Sequence, residues 1–163
     1  MESHRGGSVD LRLLAAIAAV EGFDLRLALY PAGDPIRDAG QQRLLARLRA
    51  ILHPSLRWRT EVALPNDGDL RAWDAETGAA AWRLPIDAET VLDDLQALER
   101  RLARKQRDDG ADHVLLLVAD TRRNRGALAA APAAFGAFSR DARAALRALR
   151  EGRDPRSSAI LII

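Results

Sequence analysis

Residues 68–89, GDLRAWDAETGAAAWRLPIDAE, decide how this chain folds. Two runs, Gly68 to Ala75 and Ala81 to Glu89, read as strands, and Glu76-Thr77-Gly78 between them has turn chemistry. A third run precedes them, Leu56 to Leu64, with Leu56, Trp58, Thr60 and Val62 alternating in the period of a half-buried strand. The turn Pro65-Asn66-Asp67-Gly68 joins it to the second, so the stretch predicts an antiparallel three-stranded meander. Pro85 has no N–H to donate and places the third strand at an edge or bulge. Trp58, Trp73 and Trp82 fall one on each strand and predict a cross-strand hydrophobic cluster.

Helical spacing surrounds the meander. Upstream, Leu44, Leu45, Leu48, Ile51 and Leu52 form one stripe of a helix from Gln41 to Leu52, ended by His53-Pro54. Downstream, Thr90 to Arg107 is a helix with Thr90 as N-cap, Asp93 in its first turn, and Val91, Leu95, Leu98 and Leu102 as the buried stripe. Asp108-Asp109-Gly110 closes it. His113 to Ala119 reads as a strand buried on both faces, Asp120 or Thr121 caps a helix running through Arg125 to Ala130, Asp141 to Arg150 is a further helix, and Ser158 to Ile163 is a last strand. Near the N-terminus, Ser8 to Glu21 predicts a helix capped by Ser8 or Asp10. Phe23 to Tyr30 predicts a strand, and PAGDPIRDAG, residues 31–40, a linker. The order predicts an α/β protein: a mixed sheet flanked by helices, with an additional N-terminal helix and strand.

Composition removes several classes of chemistry. The 163 residues suffice for one main domain. Of the 25 basic residues only Lys105 is lysine, and 23 acidic residues balance them to a net charge of +2. The basic character therefore reflects arginine usage more than excess positive charge. With no cysteine there is no disulfide, thiolate nucleophile or cysteine-ligated metal. Aromatic residues at 4% exclude a stacking platform for single strands. The apolar run Leu13 to Val20 is too short to cross a bilayer, and a cytoplasmic protein with no membrane partner is expected. His4, His53 and His113 lack metal-ligand spacing. There is no P-loop, GxGxxG or GxSxG.

The element order, with GDLRAWD on the second meander strand and IDAE on the third, resembles the core of the PD-(D/E)xK nuclease-like fold, the fold of restriction endonucleases. The resemblance implies a divalent cation such as Mg²⁺ held by Asp69 and Asp87, with Glu89 as the third catalytic acidic residue. Carboxylates gathered in one crevice repel unless a cation holds them. Glu89 stands where that family has lysine, and the helix Gln41 to Leu52 lacks the acidic residue that often completes such sites. Arg100, Arg101, Arg104 and Lys105 on the long helix are candidates for a displaced cation or phosphate clamp. Thr121 and Arg122, at the carboxyl end of a buried strand and a helix start, are further phosphate or nucleic-acid candidates.

A second resemblance covers the whole chain. Arg5-Gly6 followed by LRLLAAIAAVEGFDLRLALY, residues 11–30, resembles the closing part of a Cro- and repressor-like helix-turn-helix module. YPAGDPIRDAGQQRLLARLRAILHPSLRWRTEVALPNDGDLRAWDA, DLQALERRLARKQRDDGADHVLLLVADTRRNR and GRDPRSSAI are similar to the C-terminal domain of such transcriptional regulators from GC-rich bacteria. This implies residues 1–32 as the remnant of a helix-turn-helix module whose groove-reading helices are missing, and 33–163 as the nuclease-like domain. The leading expectation is a regulator-type protein whose nuclease-like domain binds DNA, a partner or a second copy of itself as a homodimer, without catalysis and without a cofactor. The alternative is a Mg²⁺-dependent DNA endonuclease with glutamate in place of the usual lysine.

Overall fold

The computed structural model describes residues 11–20, 35–66, 68–138 and 141–163. The chain divides into two units, 1–31 and 32–163. The described part of the first is helix α1, Leu11–Val20; the expected strand Phe23 to Tyr30, the caps Ser8 and Asp10, and His4 lie outside the described residues. Among those residues no helix is long and apolar enough to cross a membrane.

The second unit is a mixed α/β structure. Helix α2 (Pro35–Ile51) is followed by β1 (Arg57–Ala63), β2 (Ala72–Ala79), β3 (Trp82–Glu89), α3 (Leu95–Asp109), β4 (Leu115–Val118), α4 (Arg122–Ala130), α5 (Ala142–Arg150) and β5 (Ala159–Ile162). The strands form one sheet in chain order, β1 to β5. The β1–β2 and β2–β3 pairings are antiparallel, and β3–β4 and β4–β5 are parallel.

Helix α2 begins six residues before the expected Gln41, absorbing six of the ten residues of the expected linker. Proline at a first helical position loses only an N–H that would have no intrahelical partner, so Pro35 opens the helix instead of ending a loop. Gly40 lies within it, where a Cβ would come 2.8 Å from Thr90 Cγ2. Its bare backbone lets α2 approach the end of β3.

The meander forms, but β2 runs four residues later than expected. Glu76, Thr77 and Gly78 are strand residues, because each has a partner that a turn would not supply. Glu76 is buried and paired with Arg59 and Arg83, and Thr77 Oγ1 donates to the Arg57 carbonyl oxygen at 3.0 Å. A Cβ on Gly78 would sit 2.4 Å from the Trp82 oxygen, so its role is close approach at the hairpin end. Pro85 is also corrected: β3 is the central strand, not an edge. Pro85 lies opposite Glu76, one residue before pairing with β4 begins at Ile86. That position lets an inner strand accept a residue that cannot donate.

Alternate residues of β4 divide the core. Leu115 and Leu117 join Leu44, Leu45, Leu48, Ile86 and Leu149 on one face, while Leu116 and Val118 join Trp73, Leu98 and Leu102 on the other. Helices α2 and α5 thus cover one face, and α3 and α4 the other. The expected tryptophan cluster does not form, since Trp73 is buried under α3 whereas Trp58 and Trp82 border the opposite core.

Helix α3 starts at Leu95 with Asp94 as its N-cap, Oδ1 accepting from Ala97 N at 2.8 Å, instead of at Thr90. Buried Asn124 explains the delay. Its Oδ1 accepts the Leu92 N–H at 2.9 Å and its Nδ2 donates to the Thr90 oxygen at 2.9 Å, so the backbone of 90–92 is engaged before it could enter a helix. Val91, expected in the buried stripe, is exposed.

Candidate functional site

Strands β2 and β3 part company at Asp74. Their pairing runs from Ala79↔Trp82 to Ala75↔Ile86, while β3 continues through Glu89 beside β4. Beyond the parting, the Asp74 carboxylate substitutes for the lost ladder: Oδ2 accepts the Ala88 N–H at 2.6 Å. The β1 side is irregular at the same level. Register passes from Thr60↔Ala75 to Val62↔Trp73, and the intervening Glu61 has φ of 52°. Trp73 and Ala75, two residues apart, enter opposite cores, so the strand turns over at Asp74. A left-handed backbone at a residue with a Cβ costs about 1–2 kcal/mol. Glu61→Gly is therefore expected to raise stability by about 1 kcal/mol in urea unfolding; a loss would mean that the glutamate side chain contributes more than its backbone costs.

Asp87 and Glu89 alternate along β3 and share the face covered by α3. Arg101 and Lys105, four residues apart on that helix, meet them. Lys105 Nζ lies 2.6 Å from Asp87 Oδ1 and 4.6 Å from the centre of the Trp73 ring. Arg101 lies 3.0 Å from Asp87 Oδ2 and also pairs with Glu89. From α2, Gln41 Nε2 donates to the Ala88 oxygen at 2.8 Å. Both backbone polar groups of Ala88 are thus held by side chains. Asp74, Asp87, Glu89, Gln41, Arg101, Arg104 and Lys105 line one open crevice of about 1130 Å³, somewhat larger than the usual small-ligand pocket.

Burial, and next the charge of Asp87, push the Asp74 carboxyl up to about 7, against the Ala88 N–H and Lys105, which favour its charged form. Below Lys105, in the core and not in the crevice itself, lies a second costly group, the buried Trp73 Nε1–H, which has no acceptor among the described residues.

The residues singled out in the sequence divide. Asp87, Glu89, Arg104 and Lys105 line the crevice; Asp69 does not. Because β2 starts at Ala72, Asp69 is a loop residue. Its Oδ1 accepts the Arg71 N–H at 2.9 Å and its Oδ2 lies 2.6 Å from the Arg71 guanidinium, which also reaches Asp108. Hydrogen bonds from Arg71 hold the Asp69 carboxyl down at about 2. It anchors the β1–β2 loop to the end of α3, and the acidic residue that β2 does bring to the crevice is Asp74. Arg100 is exposed and outside the crevice. Thr121 Oγ1 accepts the Asn124 N–H at 3.1 Å as the N-cap of α4, and exposed Arg122 does not line the crevice either. Arg123 of the same helix does, paired with Asp93. Sequence reading missed Asp74 and Gln41. The pair Asp69–Arg71 at i, i+2, following Pro65-Asn66-Asp67-Gly68, was the available signal that the turn extends past Asp69.

Among the described residues no three His, Asp or Glu side chains are grouped closely enough to hold a metal ion by themselves. Asp74 and Asp87 offer the oxygen donors a hard divalent cation takes, but Lys105 and Arg101 hold both Asp87 oxygens, so a cation would displace one of them and complete its set with backbone carbonyls and water. The like-charge burden on Asp74 is of the kind such a cation relieves.

Compared with protein-family models, with curated proteins and with solved structures, the chain matches none.

Proposed function

We propose that the crevice is a phosphodiester-hydrolysing site of the PD-(D/E)xK nuclease type, acting on DNA, with Asp74 and Asp87 as the cation-holding pair and Lys105 as its ammonium. The observation that carries this reading is the meeting of Asp74, Asp87 and Lys105 in one crevice where β2 and β3 separate. The order α2-β1-β2-β3-α3-β4 supports it. Glu89 in the place of the family's lysine then leaves no gap, because Lys105 reaches the same carboxylate from α3. A bound Mg²⁺ would supply Lewis acidity and a water of lowered pKa. The chain's own residues do the rest. Lys105 orients Asp87 and keeps positive charge near the scissile phosphate. Gln41 and Asp74 fix Ala88 between them, and exposed Arg104 is placed on the rim to meet a phosphate.

Plasmid DNA incubated with the protein and Mg²⁺ or Mn²⁺ should be nicked or linearised by the wild type and left intact by Asp87→Asn. Intact plasmid with folded wild-type protein would overturn the reading. A regulator-type domain that binds DNA without cutting remains the second reading, and one observation favours it: Arg101 already lies across Asp87 and Glu89. DNA binding by the wild type that weakens steeply with salt, without cleavage, would support it.

A further inference from the structure

Resting on the reading of the crevice as a cation site, we infer that Arg101 is a latch that occupies this site and competes with the divalent cation. Asp87 is fully engaged, with Lys105 on Oδ1 at 2.6 Å and Arg101 on Oδ2 at 3.0 Å. A dication approaching Asp87 meets two positive charges, and one of them has to withdraw. The two differ in freedom. The Lys105 side chain is 8% exposed and lies over the Trp73 ring, so withdrawing it means uncovering a packed core position. The Arg101 side chain is 47% exposed and turns into water by side-chain rotation alone. Glu89 is the holding point that returns it.

This gives Glu89 a role that its place on β3 leaves open. It stands beside Asp87 on the same strand face, and its carboxylate is spent on Arg101, not offered to the cation. Glu89 and Arg101 form a unit in which the glutamate draws the guanidinium over Asp87, so the crevice is neutralised from within until a cation displaces it. A latch closed about nine-tenths of the time weakens apparent cation affinity about tenfold. The released guanidinium lies one turn of α3 from exposed Arg104, where the two can face an anionic substrate together.

The test is a Mn²⁺ titration followed through the electron paramagnetic resonance signal of the free ion, on wild type, Arg101→Gln, Arg104→Gln and Asp74→Asn. Both arginines are exposed on the helix surface, so the glutamine variants are expected to melt near the wild type. Arg101→Gln should bind Mn²⁺ about tenfold tighter than the wild type, an effect of the size one competing ion pair produces. Arg104→Gln removes the same charge from the rim, where no carboxylate pairs with it among the described residues, and should change affinity by no more than about twofold. If Arg101→Gln binds no tighter than the wild type, or Arg104→Gln gains as much, the latch is overturned while the cation site stands. If neither wild type nor Arg101→Gln binds Mn²⁺, or Asp74→Asn binds it as tightly as the wild type, the cation site itself falls and the latch with it.

Discussion

Asp74→Asn is expected to stabilise the protein at pH 8 and to leave it almost unchanged at pH 4. The Asp74 carboxyl has its folded-state pKa raised from 3.8 to about 7, chiefly by burial and then by Asp87. Stability associated with its protonated form is fully present below the ordinary value and is lost as pH rises through about 7. At pH 8 the wild type therefore carries a buried charge that asparagine does not, while the asparagine Oδ1 still accepts the Ala88 N–H. The gain should be about 2–4 kcal/mol, a rise in melting temperature on the order of 10 °C, and should shrink to under about 0.5 kcal/mol at pH 4. Thermal melts of both proteins at the two pH values check it; equal differences at both would mean that the Asp74 charge carries no burden. The same substitution should end any cation-dependent activity. Stability surrendered at one carboxylate and recovered by deleting its charge is the pattern of a site kept for function.

Asp87→Ala is expected to have the opposite sign. Asp87 is 3% exposed, and its loss leaves the Lys105 ammonium, 8% exposed, without its carboxylate. Breaking a buried pair by removing one partner costs about 3–5 kcal/mol, mostly the penalty of the stranded charge. The double variant Asp87→Ala with Lys105→Met should recover most of that loss, because methionine fills the place over Trp73 without a charge. Lys105→Met alone should cost less than Asp87→Ala, since Arg101 still neutralises Asp87. Urea unfolding of the four proteins closes a double-mutant cycle with a coupling of at least about 2 kcal/mol. Additive effects would show that Lys105 and Asp87 do not depend on each other.

The site was only partly legible in the sequence. Asp87 and Glu89 were visible because strand periodicity puts i and i+2 on one face, and Lys105 stood out as the only lysine. Asp69 and Asp74 are both aspartates of the same stretch, and choosing between them required the start of β2. A shift of a few residues along a strand costs nothing in local pattern here, where alanines surround the charged residues. The tryptophans misled for a related reason. One per strand suggests a cluster only if the strands keep a regular alternation, and β2 turns over between Trp73 and Ala75. The start of α3 was misplaced because Thr90 and Asp94 are both acceptable caps locally. Asn124, at least 30 residues away from either cap, selects the second.

By itself the sequence determined the kinds of element and their order: a helix, a three-stranded meander, a long helix, and two further strands separated by helices. Those follow from the spacing of apolar residues, which local geometry reads directly. It also determined the available chemistry, oxygen ligands and arginines with one lysine and no thiol. The tertiary structure alone decided which carboxylate joins Asp87, that Lys105 reaches it from α3, and that Arg101 lies across Asp87 and Glu89. Those contacts depend on where two paired strands separate and on which face of a helix meets them. Both are settled by packing between segments far apart in the chain, and no local spacing records them.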